Sequence, residues 1–94
     1  MPGRKQMVTR EVTIVNPLGL HARAAARFVR LASQYTATVR VARGPRELDG
    51  KSILGLLLLG AAKGSTIVIR GEGDDAEVAV DALASLVADG FGEV

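Results

Sequence analysis

Apolar and polar residues alternate along four stretches of this chain, and the alternation predicts four β-strands. In the first stretch Val8, Val12 and Ile14 fall on one face, while threonine and glutamate side chains fall on the other. Half-polar strands of this kind are typical of an antiparallel sheet with one face on the core and the other in water. The predicted strands are residues 7–15, 36–42, a short edge strand at 46–48, and 65–71.

Three further stretches carry helical periodicity, and capping residues stand at their ends. Asp74 precedes the last of them with Glu77 three residues later, as in a capping box, and Gly90 stands where a helix often stops. The predicted helices cover residues 22–34, 52–59 and 74 to about 90. The order βαββαβα predicts an α+β fold with the helices on one face of the sheet, and periodicity equally allows a different split-βαβ arrangement.

The second predicted helix has no polar face once Ser52 and Gly55 are passed. A helix that is apolar on every side is either buried all round or docks a partner. A domain this small cannot readily bury such a helix completely, so we expect Leu56 and Leu59 to face the core; the alternative is that all six apolar residues are core. The side chains expected to stay partly exposed are Ile53, Leu54, Leu57 and Leu58.

The length of the chain limits the number of domains but does not identify the chemistry of the protein. A chain of 94 residues makes one small domain, which we expect to span residues 7–94 after a disordered lead at 1–6. The lead is basic but lacks the apolar region and cleavage site of a signal peptide. The most apolar run, residues 53–62, is far shorter than the ~20 residues of a membrane helix, so no membrane insertion is expected.

The chain has no cysteine, one histidine and a net charge of +2. Without cysteine there is neither a disulfide framework nor a thiolate zinc site, and a cytoplasmic location fits. A lone histidine also argues against a histidine-based metal site, so we expect no metal and no cofactor. The small charge and the few aromatic residues do not point to nucleic acid. Acidic protein surface is the favoured partner.

That lone histidine, His21, lies where a turn gives way to an alanine-rich helix. The first turn of a helix leaves backbone N–H groups unpaired and carries a partial positive charge, so it binds anions. Arg23 adds a guanidinium suited to phosphate oxygens. The pattern indicates a phosphate site in which a neutral imidazole attacks a phosphoryl donor. The alternative is that His21 is a surface or capping residue, as a single histidine more often is.

Two motifs at these positions are those of a known family. Gly19-Leu20-His21-Ala22-Arg23 with Ala25 fits a Gly-[Leu/Met/Ile]-His-Ala-Arg-Pro-Ala signature, and Lys51-Ser52-Ile53-Leu54-Gly55 fits Lys-Ser-Ile-[Leu/Met]-Gly. Over roughly residues 7–91 the chain resembles the histidine-containing phosphocarrier (HPr) family of the bacterial phosphoenolpyruvate-dependent sugar phosphotransferase system. The resemblance implies an open-faced β-sandwich, in which three helices cover one face of a four-stranded antiparallel sheet. Ala24 stands where the family has proline, and alanine keeps the helix while adding an N–H donor.

The resemblance implies a phosphocarrier that accepts a phosphoryl group from phosphorylated enzyme I on His21 and donates it to enzyme IIA-type proteins. Such a carrier is an intermediate in a relay rather than a self-sufficient enzyme. Arg23 and the backbone N–H groups of Ala22, Arg23 and Ala24 would hold the phosphate. Ser52 would be a regulatory site for an HPr kinase/phosphorylase, although serine is also a preferred helix N-cap without any regulation.

Three arginines follow one face of the first predicted helix at the spacing i, i+4, i+7. Such a stripe is ordinarily a solvated face, but this one begins beside the histidine and would speed encounter with acidic partners. The resemblance places the docking surface at the start of the second helix, and we expect a monomer. The expected docking patch has an apolar centre of Ile53, Leu54 and Leu57 and a basic rim of Arg23, Arg27, Arg30 and Lys51.

Two other classes of function stay open at this point. One is a regulatory docking module on the same scaffold that acts without phosphorylation, motivated by the alanine in place of proline. The other is a hydrolytic enzyme with a general-base histidine, which is the weakest hypothesis because no second acid or nucleophile stands at a recognisable spacing. The downstream branch, whether sugar uptake, nitrogen-linked or regulatory signalling, is also undetermined by the sequence.

Overall fold

The computed structural model describes residues 6–93, and four strands in them form one antiparallel sheet. Alternating apolar side chains allow each strand to place one face on a core. The strand order is β1-β4-β2-β3, so the first and last strands in the chain are neighbours. The strands are β1 (Gln6–Thr13), β2 (Thr38–Arg43), β3 (Arg46–Asp49) and β4 (Thr66–Gly73).

Three helices pack on one face of this sheet, and the core lies between the two layers. They are α1 (Ala22–Ala32), α2 (Ile53–Leu59) and α3 (Ala76–Ala88), and a 3₁₀ turn at Gly90–Gly92 follows the last of them. The open-faced sandwich of order βαββαβα is therefore confirmed. The largest fully buried side chains come from all layers: Phe28, Leu56, Leu59, Leu83 and Val87 from the helices, Val39, Val41, Ile67 and Ile69 from the strands, and Ile14 and Phe91 from the connections.

The apolar second helix divides as its pattern predicted. Leu56 and Leu59 are buried in the core. The other four apolar side chains of α2 are 39–66% exposed. The alternative in which all six belong to the core is wrong, because a helix that packs on a sheet can turn only one side towards it. The exposed set consists of Ile53, Leu54, Leu57 and Leu58.

Two predicted element boundaries were wrong because Asp75 has an unexpected role. The expected cap of α3 was Asp74, but the structure places Asp75 at the N-cap and gives its side chain no capping hydrogen bond. The Asp75 carboxylate instead accepts hydrogen bonds from the N–H groups of Thr36 (2.9 Å) and Ala37 (2.8 Å). Those two residues therefore lie before β2, which begins at Thr38 rather than at residue 36.

The other boundary differences have local causes. Helix α1 ends at Ala32 rather than at residue 34, because Gln34 and Tyr35 donate to carbonyls only three residues back and tighten the last turn. Strand β1 begins at Gln6, where it pairs with Gly73, so the expectation that Gln6 belongs to a disordered lead is wrong. Residues 1–5 of that expected lead lie outside the described residues. Between residues 6 and 93, no helix is long and apolar enough to cross a membrane.

Candidate functional site

His21 is the N-cap residue of α1, in extended backbone conformation. Its carbonyl accepts the first intrahelical hydrogen bond, from the N–H of Ala25 at 2.8 Å, and its side chain caps nothing in the helix. The N–H groups of Ala22, Arg23 and Ala24 precede that first bond and have no acceptor within the helix. The imidazole is therefore placed beside three backbone donors and the positive end of the helix.

The loop that leads to His21 is held rigidly against a neighbouring loop. Gly19 has a φ of +65°, and a side chain there would place Cβ 2.7 Å from the carbonyl oxygen of Ala61. The N–H of the next residue, Leu20, donates to that same oxygen at 2.9 Å, and the Leu20 side chain is buried. Only glycine satisfies both the left-handed backbone and the close approach. Gly19 thus determines where the chain enters α1.

Three of the predicted site residues, His21, Ala22 and Arg23, line one open cleft of about 790 Å³. Arg23 is exposed at the first turn of α1, whereas the side chain of Ala24 is fully buried. Their role as phosphate ligands stays a prediction. The lining residues are Pro17, Leu18, His21, Ala22, Arg23, Arg27, Gly92 and Glu93.

One residue of the cleft was missed by sequence reasoning, and it makes the shortest contact of the imidazole. Glu93 Oε2 lies 2.5 Å from Nε2 of His21, and the two side chains are 17% and 27% exposed. The other carboxylate oxygen of Glu93 accepts a hydrogen bond from Nδ2 of Asn16 at 2.9 Å. The hydrogen bond from His21 lowers the pKa of the Glu93 carboxyl; the bond from Asn16 acts in the same direction, and desolvation opposes both.

The turn after α3 carries Glu93 to the site. Phe91 is buried and adopts a left-handed backbone with a φ of 57°, which is uncommon for a residue other than glycine. Arg27 of α1 donates a hydrogen bond to the Phe91 carbonyl oxygen. These two anchors direct the chain back across the start of α1. The only sequence signal was the pair Gly90 and Gly92, which indicates a turn but not its direction.

The residues of the expected docking patch are partly engaged inside the protein. Arg23 and Arg30 are exposed. Arg27, by contrast, is half-buried through its bond to Phe91, and Lys51 Nζ donates to the carbonyl oxygen of Tyr35 at 2.8 Å. The basic rim is therefore divided into two exposed arginines and two cations that have backbone partners.

Ser52 is the N-cap of α2, and its Oγ accepts a hydrogen bond from the N–H of Gly55 at 3.0 Å. The capping role that the sequence allowed is thus confirmed. Ser52 is only half-buried and lies next to the exposed Ile53. Within residues 6–93, no three histidine, cysteine or carboxylate side chains come together as a group that could hold a metal ion.

Comparison with known proteins agrees with this fold and site. The family model described as "PTS HPr component phosphorylation site" matches residues 8–89. "Phosphocarrier protein HPr" of Cupriavidus necator is 45% identical over 87 residues, which are 93% of this chain and 98% of the relative. "Phosphocarrier protein NPr" of Shewanella violacea is 45% identical over 84 residues, which are 89% of this chain and 92% of the relative.

A solved structure shares the architecture as well. The crystal structure of HPr-C-His from Thermoanaerobacter tengcongensis superposes with a TM-score of 0.86 at 39% identity, and covers 95% of this chain and 98% of that one. The fold and the helix-start histidine define a small phosphocarrier protein of the phosphotransferase system. The chain belongs to the HPr family.

Proposed function

We propose that this protein accepts a phosphoryl group from phosphorylated enzyme I on His21 and donates it to an enzyme IIA-type protein. The observation that carries the proposal is the position of His21 at the N-cap of α1, beside three N–H groups that precede the first intrahelical bond. An anion on the imidazole meets these donors and the helix dipole without any rearrangement. A site that binds phosphate and also presents a nucleophile is suited to carry a phosphoryl group.

Each transfer replaces one bond to phosphorus by another. A ring nitrogen of His21 forms an N–P bond while the bond between phosphorus and the donor breaks, and the onward step reverses these roles. The Arg23 guanidinium and the N–H groups of Ala22, Arg23 and Ala24 neutralise the transferring oxygens. The protein thereby acts as an intermediate in a relay, not as a self-sufficient catalyst. We place it in the cytoplasm, as a monomer.

The partners dock over the start of α2 in this proposal. Ile53, Leu54 and Leu57 are exposed on α2, which packs against α1, and Arg23 and Arg30 are exposed on α1. An apolar centre with a charged rim is suited to a transient interface. Arg27 and Lys51 belong to the same rim, where their internal bonds hold them in place. An acidic surface around a small apolar centre would complement this patch.

Ser52 is the proposed regulatory site. Its hydroxyl lies within the docking patch, so a phosphate added there by an HPr kinase/phosphorylase would place negative charge where an acidic partner must approach. Binding of enzyme I would weaken, while the cap of α2 would persist because a phosphate also favours a helix N-terminus.

The test is labelling with phosphoenolpyruvate and enzyme I. The parent protein is expected to take up one acid-labile phosphate, and His21→Ala to take up none while retaining its fold by circular dichroism. Arg23→Ala should label more slowly, on the order of 100- to 1,000-fold, since it stabilises the transferring group but does not form the bond. Arg70→Ala is the matched control, because it removes an equal charge at an exposed position of β4 that lies outside both the cleft and the docking patch.

Two results would refute the assignment. Acid-labile label that persists in His21→Ala would place the phosphate elsewhere. A folded parent that binds enzyme I but never takes up label would make this a phosphorylation-independent docking module.

A further inference from the structure

We infer that Glu93 is a positioning residue for phosphoryl transfer: it accepts a hydrogen bond from Nε2–H of His21, and it is itself oriented by Asn16. The inference rests on the proposed function and adds to it two residues, Glu93 and Asn16, that lie outside both sequence motifs. The three side chains form one chain of contacts, with Asn16 Nδ2 2.9 Å from Glu93 Oε1 and Glu93 Oε2 2.5 Å from His21 Nε2.

In the contact between His21 Nε2 and Glu93 Oε2, the donor can be identified from the chemistry of the two side chains. An ionised carboxylate has only acceptors, so the proton in the His21–Glu93 contact belongs to Nε2. The hydrogen bond from His21 also lowers the pKa of Glu93, which keeps the carboxylate ionised. In the neutral ring the other nitrogen, Nδ1, then carries the free electron pair. Which nitrogen attacks is thereby decided by a side chain 72 residues away in the sequence.

The same contact stabilises the phosphorylated ring. When Nδ1 forms its bond to phosphorus while Nε2 keeps its proton, the imidazole carries a positive charge. A carboxylate on Nε2–H stabilises that charge, as the aspartate of a serine-protease triad does for its histidine. The phosphoryl group is then on the ring nitrogen that does not contact Glu93. Other charged groups facing this cleft are Arg23 and Arg27, and both oppose the negative charge of Glu93 and of the phosphate.

The Asn16 side chain joins Glu93 to the loop that leads to His21. Its side chain is fully buried, and Nδ2 donates both to the Gly19 carbonyl oxygen at 2.8 Å and to Glu93. Its Oδ1 has no hydrogen-bond partner among the described residues. Exchanging the two ends of the amide would place Oδ1 against two acceptors, so the orientation is determined. The cost of burying an unpaired amide oxygen is offset by the two hydrogen bonds that the nitrogen of the same amide donates.

The first arm of the test is ¹H–¹⁵N NMR of the His21 ring in the unphosphorylated protein, where His21 is the only imidazole. The parent should show an Nε2–H proton that is shifted downfield and protected from exchange with water. In Glu93→Ala this proton should exchange with water, and its signal should broaden. In Glu93→Gln the signal should weaken, because one of the two acceptor oxygens is gone. Glu11→Gln, the same change on the exposed face of β1, should leave the signal intact.

The second arm measures the rate of phosphoryl acceptance from enzyme I. Glu93→Ala is expected to slow it by about 10- to 100-fold, by analogy with the range for residues that orient a metal-bound histidine through its other nitrogen. Glu93→Gln should fall between parent and Glu93→Ala, and Asn16→Ala should resemble Glu93→Gln. Because Asn16 is fully buried and its variant can lose stability, the variants of the half-buried Glu93 decide the outcome.

The inference is overturned if the proton of the neutral ring resides on Nδ1 in the parent, or if Glu93→Ala accepts phosphate at the parental rate with an unchanged Nε2–H signal. A parent that shows the protected Nε2–H but takes no label would refute the proposed function and the kinetic part of this inference. The orienting contact would then stand alone. The two failures are therefore distinguishable.

Discussion

At the scale of single residues, Ala24 is the position where this chain departs from the signature of its family. It is the third residue of α1, fully buried, and its N–H precedes the first intrahelical hydrogen bond. Proline would therefore remove no helical bond there. The departure adds a donor beside His21 without altering the helix that presents it.

Ala24→Pro should consequently raise the free energy of unfolding by about 0.4–1 kcal/mol, because proline restricts the unfolded chain. Urea denaturation of the parent and the variant measures the difference. Ala26→Pro is the control: the N–H of residue 26 lies inside the helix, so this variant should lose about 3 kcal/mol or more. A clear loss in Ala24→Pro would show that the buried site cannot accommodate the ring or that the Ala24 N–H has a native acceptor.

At the scale of elements, α2 is a short helix fixed at both ends by side chains outside its apolar run. Ser52 caps its start through the N–H of Gly55. At its end, Arg43 donates to the carbonyl oxygens of Leu59 and Gly60, at 2.9 and 3.0 Å, and Arg46 donates to Leu58. The helix has no basic residue in its own last turn, and the β2–β3 hairpin supplies the cations instead. This bracing holds the exposed leucines in place.

Ser52→Asp should retain or slightly raise thermal stability, because aspartate is also a good N-cap and its charge suits a helix start. The same variant should bind enzyme I more weakly than the parent, and part of the loss should disappear at high salt. Thermal melts and titrations at two salt concentrations measure both effects.

Ser52→Ala separates the cap from the charge. It should lower the free energy of unfolding by about 0.5–2 kcal/mol, whereas Ser85→Ala on the exposed side of α3 should have little effect. A Ser52→Asp variant that melted early, or bound enzyme I as tightly as the parent, would leave Ser52 as a helix cap only.

At the scale of the whole molecule, two carboxylates join distant parts of the chain. At the start of α3, Asp75 accepts hydrogen bonds from the N–H groups of Thr36 and Ala37, which precede β2. Glu93, which follows α3, contacts His21 at the start of α1. The backbone hydrogen bond from Thr36 is the main cause of a lowered pKa at Asp75, and the bond from His21 is the main cause at Glu93.

The lowered pKa of each of these two carboxyl groups predicts that the protein loses stability in acid. A carboxyl whose pKa is lower in the folded than in the unfolded chain makes the unfolded state bind more protons. Its contribution is therefore present above the ordinary values of 3.8 for Asp75 and 4.5 for Glu93, and is lost as the pH falls below them. In Asp75→Asn the melting temperature should fall less with decreasing pH than in the parent, in thermal melts recorded from about pH 7 to about pH 3.

Asp74→Asn is the matched control for that experiment, since it makes the same change one residue earlier at an exposed site. It should preserve the parental acid dependence. If Asp75→Asn and the parent lost stability in parallel through this range, the bonds to Thr36 and Ala37 would not be the source of the acid sensitivity.

The local patterns of the chain were sufficient for the order of its strands and helices and pointed to His21, whereas the arrangement of the sheet was expected only from the resemblance to the family. Alternation along the strands, helical periodicity and the residues at Ser52 and Gly90 act over a few neighbouring positions, and each determined an element that the structure contains. His21 was identifiable for the same reason, because a helix start exposes N–H donors wherever its sequence places it. The motif around it then pointed to the family.

Only the tertiary structure decided which side chains meet. Glu93 reaches His21 from 72 residues away, and Asn16 reaches Glu93 from 77, through a turn whose direction depends on a buried Phe91 and its bond to Arg27. No periodicity encodes such a pairing, since the register between remote segments is determined by how the core packs. The role of Asp75 was not predicted for the same reason: the N–H groups that donate to its carboxylate lie 39 and 38 residues earlier in the chain.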